Sequence, residues 1–419
     1  MPSWLIANGT YIDGPTVNTT RYNHPIGNGS FHATETFQQL LVRDSYTISK
    51  LYIYVVSNDT TTTTVKSRKQ TPPGAAADGN QSISIGDSAT GAFTDAVNSD
   101  SLVDGDLFCT QFVTAGGSSL RFSIVSYILS TVSNTTPILA TSYYPGLTTQ
   151  AKALVRCYTI AGKLAGTATE SATYYTFRVA ATLSNLRIYI SANTVTAVST
   201  LITKNGANPR NQSVSIPAST SGAFEDTVNT DNVADGEDVH YQLTTGATGT
   251  SLTICSIQVK SNSEGRQVAA ATPGTTTLAI ALTRYVGIEG NSQSYGTDET
   301  LVQATARCSF TAKNMYVNIS ANTVTAASTL TLRKDTANST LTVSVPSTLT
   351  GQFEDIDPAH AVDFVAASLI NWGIVTGATG TAITIVCIGF ELELGQIILA
   401  TTQGKPSNMA SKLMAAGLI

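Results

Sequence analysis

Apolar and polar residues alternate with a period of two along much of this chain, and the clearest alternating segment occurs three times. LYIYV (Leu51–Val55), LRIYI (Leu186–Ile190) and MYVNI (Met315–Ile319) carry apolar residues at positions one, three and five. These are Leu51, Ile53 and Val55, then Leu186, Ile188 and Ile190, then Met315, Val317 and Ile319. Such alternation predicts a strand with one face on a core. Further on, SISIGDSATGAFTD, SVSIPASTSGAFED and TVSVPSTLTGQFED each place an alternating strand before a turn. Phe93, Phe224 and Phe353 are the equivalent aromatics of those segments and are expected in the core. The closing strands read SSLRFSIVSYIL, TSLTICSIQV and TAITIVCIGFEL. No long helix is predicted; only the tail Ser407–Ile419 reads as a short one.

The copies recur every ~130 residues, too long for a solenoid unit and right for a small domain. The expected organisation is an N-terminal connector with repeat 1 (1–133), repeat 2 (134–264), repeat 3 (265–395) and a C-terminal connector strand with a tail (396–419). With about eight strands in about 130 residues, each repeat has the size of a jelly roll. The expected fold class is all-β: three tandem jelly-roll-like β-sandwich domains with connector strands. A small-residue strand precedes each domain: LIANG from Leu5, ILATS from Ile138 and VAAATPG from Val268. A fourth copy, IILATTQG from Ile397, follows the last domain. Ile397, Ile398 and Leu399 are therefore expected to dock by β-augmentation on an edge of their own domain or a neighbour.

The stretch VADGEDVHYQLTTGATGTSLTICSIQV (Val233–Val259) resembles the last strands of tumour-necrosis-factor-like jelly rolls, where an Asp-bearing Gly turn leads into a strand, a Gly-rich turn and a final strand. Similar modules occur in trimeric spore-surface proteins and in bacteriophage head-fibre, decoration and tail proteins. Repeat 1 matches with LVDGDLFCTQFVTAGGSSLRFSIVSY, whereas repeat 3 departs from the pattern with IDPAHAVDFVAASLINWG. The resemblance implies a structural or receptor-binding role and carries over no catalytic residue. It also implies threefold association. Three domains in one chain can form a pseudo-trimer, or three chains can stack three trimeric layers; both remain open.

Composition narrows the class of partner. Hydrophobic residues make up 42% of the chain and charged ones only 12%, about half the usual charged share. The polar surface must be Ser, Thr, Asn and Gln, which desolvate at far lower cost than ions. A net charge of -5, with no basic patch, argues against nucleic acid as a partner. No apolar run reaches membrane-span length, and MPSWLIANG lacks the features of a secretory leader, so no membrane partner is expected. Cys109, Cys157, Cys255, Cys308 and Cys387 are odd in number and lie in strand text, as reduced buried thiols do. The expected partners are capsid or tail proteins and further copies of the chain as a homo-oligomer. The expected location is a virion assembled in the host cytoplasm, with a glycan as the alternative ligand.

Candidate chemistry is sparse. Asp95, Asp104, Asp226 and Asp235 are calcium candidates within acidic loops that also contain Asp100, Asp106, Asp231 and Glu237. A calcium ion takes six to eight oxygens, but Asp also caps turns through nearby backbone N–H groups, and turn chemistry is the preferred reading. Arg21, Arg156 and Arg284 recur, each six residues before Gly27, Gly162 or Gly290, and Glu35, Glu170 and Glu299 follow. They are read as assembly residues, an ion pair locking a connector to its domain or one domain to the next. His24, His32, His240 and His360 show no metal spacing. No nucleophile-elbow, phosphate-loop or zinc-protease motif is present, so no cofactor and no enzyme activity are expected. Tyr52, Tyr54, Tyr189 and Tyr316 occupy the second face of the alternating strand. They suit either stacking on sugars or, preferentially, a protein interface.

Overall fold

The structure is a computed structural model of the chain and describes residues 3–15, 17–28, 31–130, 138–142, 148–163, 166–263, 266–271, 277–288, 296–306 and 309–394. The described residues are almost wholly β, with only short 3-10 turns besides. Repeat 2 illustrates the unit. One sheet runs in the order Gly162–Lys163, Ile138–Ser142, Gly249–Asn262, Ala181–Val195, Gly222–Val233, with Thr148–Ala151 also on Gly249–Asn262. The second runs Val155–Thr159, Asp238–Thr244, Ser199–Asn205, Asn208–Ile216, with Tyr175–Thr176 also on Asp238–Thr244. Repeats 1 and 3 follow the same plan. Each connector strand pairs with the last strand of its own repeat: Ser3–Asp13 on Gly117–Ser130, Ile138–Ser142 on Gly249–Asn262, and Arg266–Ala271 on Gly380–Leu394.

The expected fold class is corrected here. The chain is all-β, but its six small sheets form a six-bladed β-propeller arrangement and are not three tandem jelly-roll sandwiches. Alternation identifies the face of a strand that meets its own core, and it says nothing about what meets the other face. Along Leu186–Ile190, the core residues Leu186, Ile188 and Ile190 are buried, but so is Arg187 between them. Along Met315–Ile319 all five residues are buried. The second face is covered by the neighbouring repeat, so the sheets follow one another around a ring.

Each repeat retains one hydrophobic cluster. Phe93, Phe224 and Phe353 are only partly buried and pack against these clusters from the edge strands. They sit directly across from Ile53, Ile188 and Val317. The long central strands carry a bulge at a left-handed residue, Lys50, Asn185 or Asn314, a backbone state that Asn tolerates better than most residues. The amide N–H that the bulge releases at Leu51 and Leu186 is taken by the buried side chains of Gln81 (2.8 Å) and Gln212 (2.9 Å).

Candidate functional site: the seams between repeats

The residues that the repeats share converge where one repeat meets the next. Between repeats 1 and 2, Leu40–Asp44 lies on the outer face of the Ala181–Val195 sheet. Leu41 N–H donates to Gln258 Oε1 (3.2 Å), and Gln258 Nε2 donates to the Leu41 carbonyl (2.9 Å). Arg43 grips both oxygens of Glu225, one of them at 2.7 Å through Nε. Lys260 reaches Asp44 at 3.3 Å. Arg187 lies buried beneath, donating to Gln258 (3.2 Å) with its guanidinium over Tyr189. Burial pulls it down to about 10, against the attraction of Glu225.

The seam between repeats 2 and 3 repeats this plan. Thr176 Oγ1 donates to Gln352 Oε1 (3.0 Å), and Arg178 pairs with Glu354. The Arg178 guanidinium lies 5.4 Å from the Tyr316 ring centroid. Tyr316, Val386 and Cys387 of repeat 3 pack into the core of repeat 2. Between repeats 3 and 1, Thr305 Oγ1 donates to Tyr52 Oη (3.4 Å), and Tyr52 and Ile128 of repeat 1 enter the core of repeat 3 with Tyr54 against it. The ring is thus closed, and repeat 1 meets both others.

Sequence alignment of the copies gives the seams one logic. Arg43, Arg178 and Arg307 are equivalent, and so are Tyr52, Arg187 and Tyr316; Arg307 lies outside the described residues. The acids facing the first two arginines are Glu225 and Glu354, and the equivalent position in repeat 1 is Thr94. Among the described residues no ion pair crosses the seam between repeats 3 and 1. Of the four tyrosines, Tyr52 and Tyr316 are buried in seams within the chain, and Tyr54 and Tyr189 are half-buried.

The recurrent glutamates sit just upstream of these seams. Glu35, Glu170 and Glu299 open short 3-10 turns, Glu35–Gln38, Glu170–Thr173 and Glu299–Leu301. Glu35 binds Arg68 through both oxygens (2.9 and 3.0 Å), and Glu299 binds Arg333 in the same way. Glu170 instead takes Lys204 and, at 3.1 Å, His240 Nε2. Each glutamate pins the segment carrying a seam arginine to its own sheet. Arg21, Arg156 and Arg284 are not their partners: each donates to the carbonyl of the residue before it, Thr20, Val155 or Thr283. The basic residue to look for was the sixth in each of the strand texts TTVKSRKQ, STLITKN and STLTLRK: Arg68, Lys204 and Arg333. Ile397, Ile398 and Leu399 lie outside the described residues.

The acidic loops form clasps between the two open edges of each repeat. Asp95 accepts from Ser82 N–H (2.8 Å), Val97 N–H (3.2 Å) and Asn98 N–H (3.1 Å). Asp226 does the same with Ser213, Val228 and Asn229. Burial raises both carboxyls, but these donors override it and hold them below the usual range. Asp100 and Asp231 take Asn80 and Asn211 N–H, 2.5 and 2.6 Å away. Asp106 and Glu237 cap the next turn through Val103 and Ala234 N–H. Asp104 is exposed and pairs with Arg43 at 3.4 Å, and Asp235 is exposed. Among the described residues no group of three or more His, Cys, Asp or Glu converges as metal ligands do. Cys109, Cys157, Cys255 and Cys387 are buried free thiols, each raised by burial; Cys308 lies outside the described residues.

No protein-family model matches the chain, and no curated protein matches it. Among solved structures, one described as the triple jelly roll fold and turret assembly in an archaeal virus is 16% identical, covering 84% of this chain and 80% of its own, with a TM-score of 0.18. A structure of infectious bursal disease virus Gt strain is 8% identical over 100% of this chain and 89% of its own, with a TM-score of 0.13. At these TM-scores neither likeness bears on the fold or the role of this chain.

Proposed function

We propose that the chain is a non-enzymatic virion structural protein, a bacteriophage capsid-decoration, head-fibre or tail-associated protein that works through protein–protein assembly. The observation that supports this reading best is ring closure. The recurrent glutamates and the seam arginines and tyrosines hold repeats to themselves and to one another, and among the described residues none of them gathers around a pocket. A ring of three related units in one chain is the geometry of a fused trimer, suited to a threefold position on a larger assembly. A surface poor in charge suits extensive contact with capsid or tail proteins and with other copies of the chain. A glycan-binding adhesin is the alternative, and the burial of Tyr52 and Tyr316 within the seams favours the assembly reading over it.

Mass spectrometry and imaging of purified particles test the proposal. The expected result is this chain as a stoichiometric component and a three-lobed density on the capsid or tail. Its absence from particles, or specific capture on a glycan array by the isolated chain, overturns it.

A further inference from the structure

Arg21, Arg156 and Arg284 have no task within the chain. Their equivalence is a matter of strand register as well as of sequence. Arg21 stands across from Phe112, Arg156 from Leu243 and Arg284 from Ile374. Those three partners in turn stand across from Val65, Leu201 and Leu330. All three arginines are half-buried. Each donates through one nitrogen to the carbonyl of the preceding residue, at 3.1, 2.9 and 2.8 Å. A guanidinium carries five N–H donors, and among the described residues no carboxylate reaches any of these three. By contrast, Arg43, Arg68, Arg178, Arg210 and Arg333 each hold a carboxylate. The carbonyl gripped by each free guanidinium belongs to a cross-strand pair on the outer face of its sheet: Thr20 with Val113, Val155 with Thr244, and Thr283 with Val375. Every pair combines one valine with one threonine, and the valines are 40%, 48% and 51% exposed.

We propose that Arg21, Arg156 and Arg284 are carboxylate-binding contacts for another protein of the particle, one that presents aspartate or glutamate side chains to them. The planar fork of a guanidinium matches a carboxylate bidentately. Here it is already held at one corner, so less side-chain freedom is lost on binding. The three arginines lie in three separate sheets. They form no cluster for a phosphate or a sulfate, and each addresses one carboxylate at a time. The neighbouring valine and threonine carry no charge and desolvate at low cost, which suits the apolar stem and backbone around a partner's acidic side chain. This inference rests on the virion reading above.

The test uses the full chain expressed during infection, with the unaltered form and one variant differently tagged and competing for the same particles. The variants are Arg21→Gln, Arg156→Gln, Arg284→Gln, the triple change to Gln and the triple change to Lys, and thermal melts of each report its folding. Each single change is expected to lower incorporation by roughly tenfold, for the loss of one charge-assisted bond, and the triple Gln variant to be excluded. The triple Lys variant keeps the charge and stem without the fork, and it is expected to fall between. Equal incorporation of the folded triple Gln variant overturns the inference and leaves the virion reading standing. If that variant does not fold, the triple Lys variant decides, and its equal incorporation overturns the inference. Raising the salt over purified particles needs no variant: release of the unaltered chain is expected, and full retention at high salt overturns the inference. Absence of the unaltered chain from particles overturns both readings. Two further results would show a different partner and overturn the one proposed. One is capture of the isolated chain, but not of the triple Gln variant, on heparin or polysialic acid. The other is an oligomer of the isolated chain that the triple Gln variant dissolves, which makes the partner a second copy.

Discussion

Ala367 holds φ at 77°, where the equivalent residues of the other repeats are Gly105 at 89° and Gly236 at 82°. A Cβ in this region is strained by about 1–2 kcal/mol, partly offset by the greater freedom that glycine loses on folding. Ala367→Gly is therefore expected to stabilise the chain by up to ~1 kcal/mol, read as a higher urea midpoint at constant slope. Two histidines set the response to acid. His24 is lowered to about 4 by burial, against its bond to the Ile26 carbonyl. His240 is also lowered to about 4 by burial, with Glu170 opposing. Both are neutral in the folded chain, while the unfolded chain takes up protons below about 6.5. Stability is then full above about 6.5 and is lost as the pH falls toward 4, by a few kcal/mol in all. Urea midpoints at pH 7 and pH 5 check this, and His240→Gln is expected to flatten the slope. No change in midpoint between the two would show that neither histidine is buried neutral.

The clasp gives an edge strand a different protection from that of a charged or proline-bearing edge: carboxylates from the neighbouring strand occupy the amide groups that a foreign strand would seek. Asp226→Ala strips acceptors from Ser213, Val228 and Asn229, with an expected loss of ~3 kcal/mol and a new tendency to aggregate, seen by light scattering. Because Asp226 is held below its usual value, its contribution is present above the unfolded carboxyl value of ~3.9 and disappears only below that. The histidines fail first. Repeat 3 behaves in the opposite sense: His360, in the inserted turn that follows the clasp residue Asp355, bonds to its carboxylate, and that bond raises the imidazole. That contribution is full below the unfolded value of ~6.5 and fades as the pH climbs through the raised one.

At this scale the strands, the three copies and the recurrence of Glu35, Glu170 and Glu299 were legible in the sequence. The partners of those glutamates were not, because Arg68, Lys204 and Arg333 lie more than thirty residues away and are not all one residue type. Arg43, Arg178 and Arg307 were also missed. They recur inside LVRDS, TFRVA and TARCS, whose flanks share almost nothing. The sandwich expectation failed for a related reason: Tyr52, Arg187 and Tyr316 look, in sequence, like residues facing water.

Around the whole ring the seams differ in what holds them. Glu225→Gln leaves the half-buried Arg43 with only the exposed Asp104, and Glu354→Gln leaves the buried Arg178 without its carboxylate, each at an expected cost of ~2 kcal/mol. The change Thr94→Glu offers a third carboxylate where Arg307 is placed by the alignment, and it is expected to raise the thermal midpoint rather than lower it. Differential scanning calorimetry of the three variants distinguishes these outcomes; a lower midpoint for Thr94→Glu would show that the third seam does not follow the plan of the other two.

The buried Arg187 at a position filled by Tyr52 and Tyr316 in the other repeats has one more consequence. In a trimer of identical chains every substitution is made three times at once, so a charge accepted at one contact must be tolerated at all. A single chain is free of that constraint. Its inner contacts can drift apart and give the ring a distinguishable beginning and end.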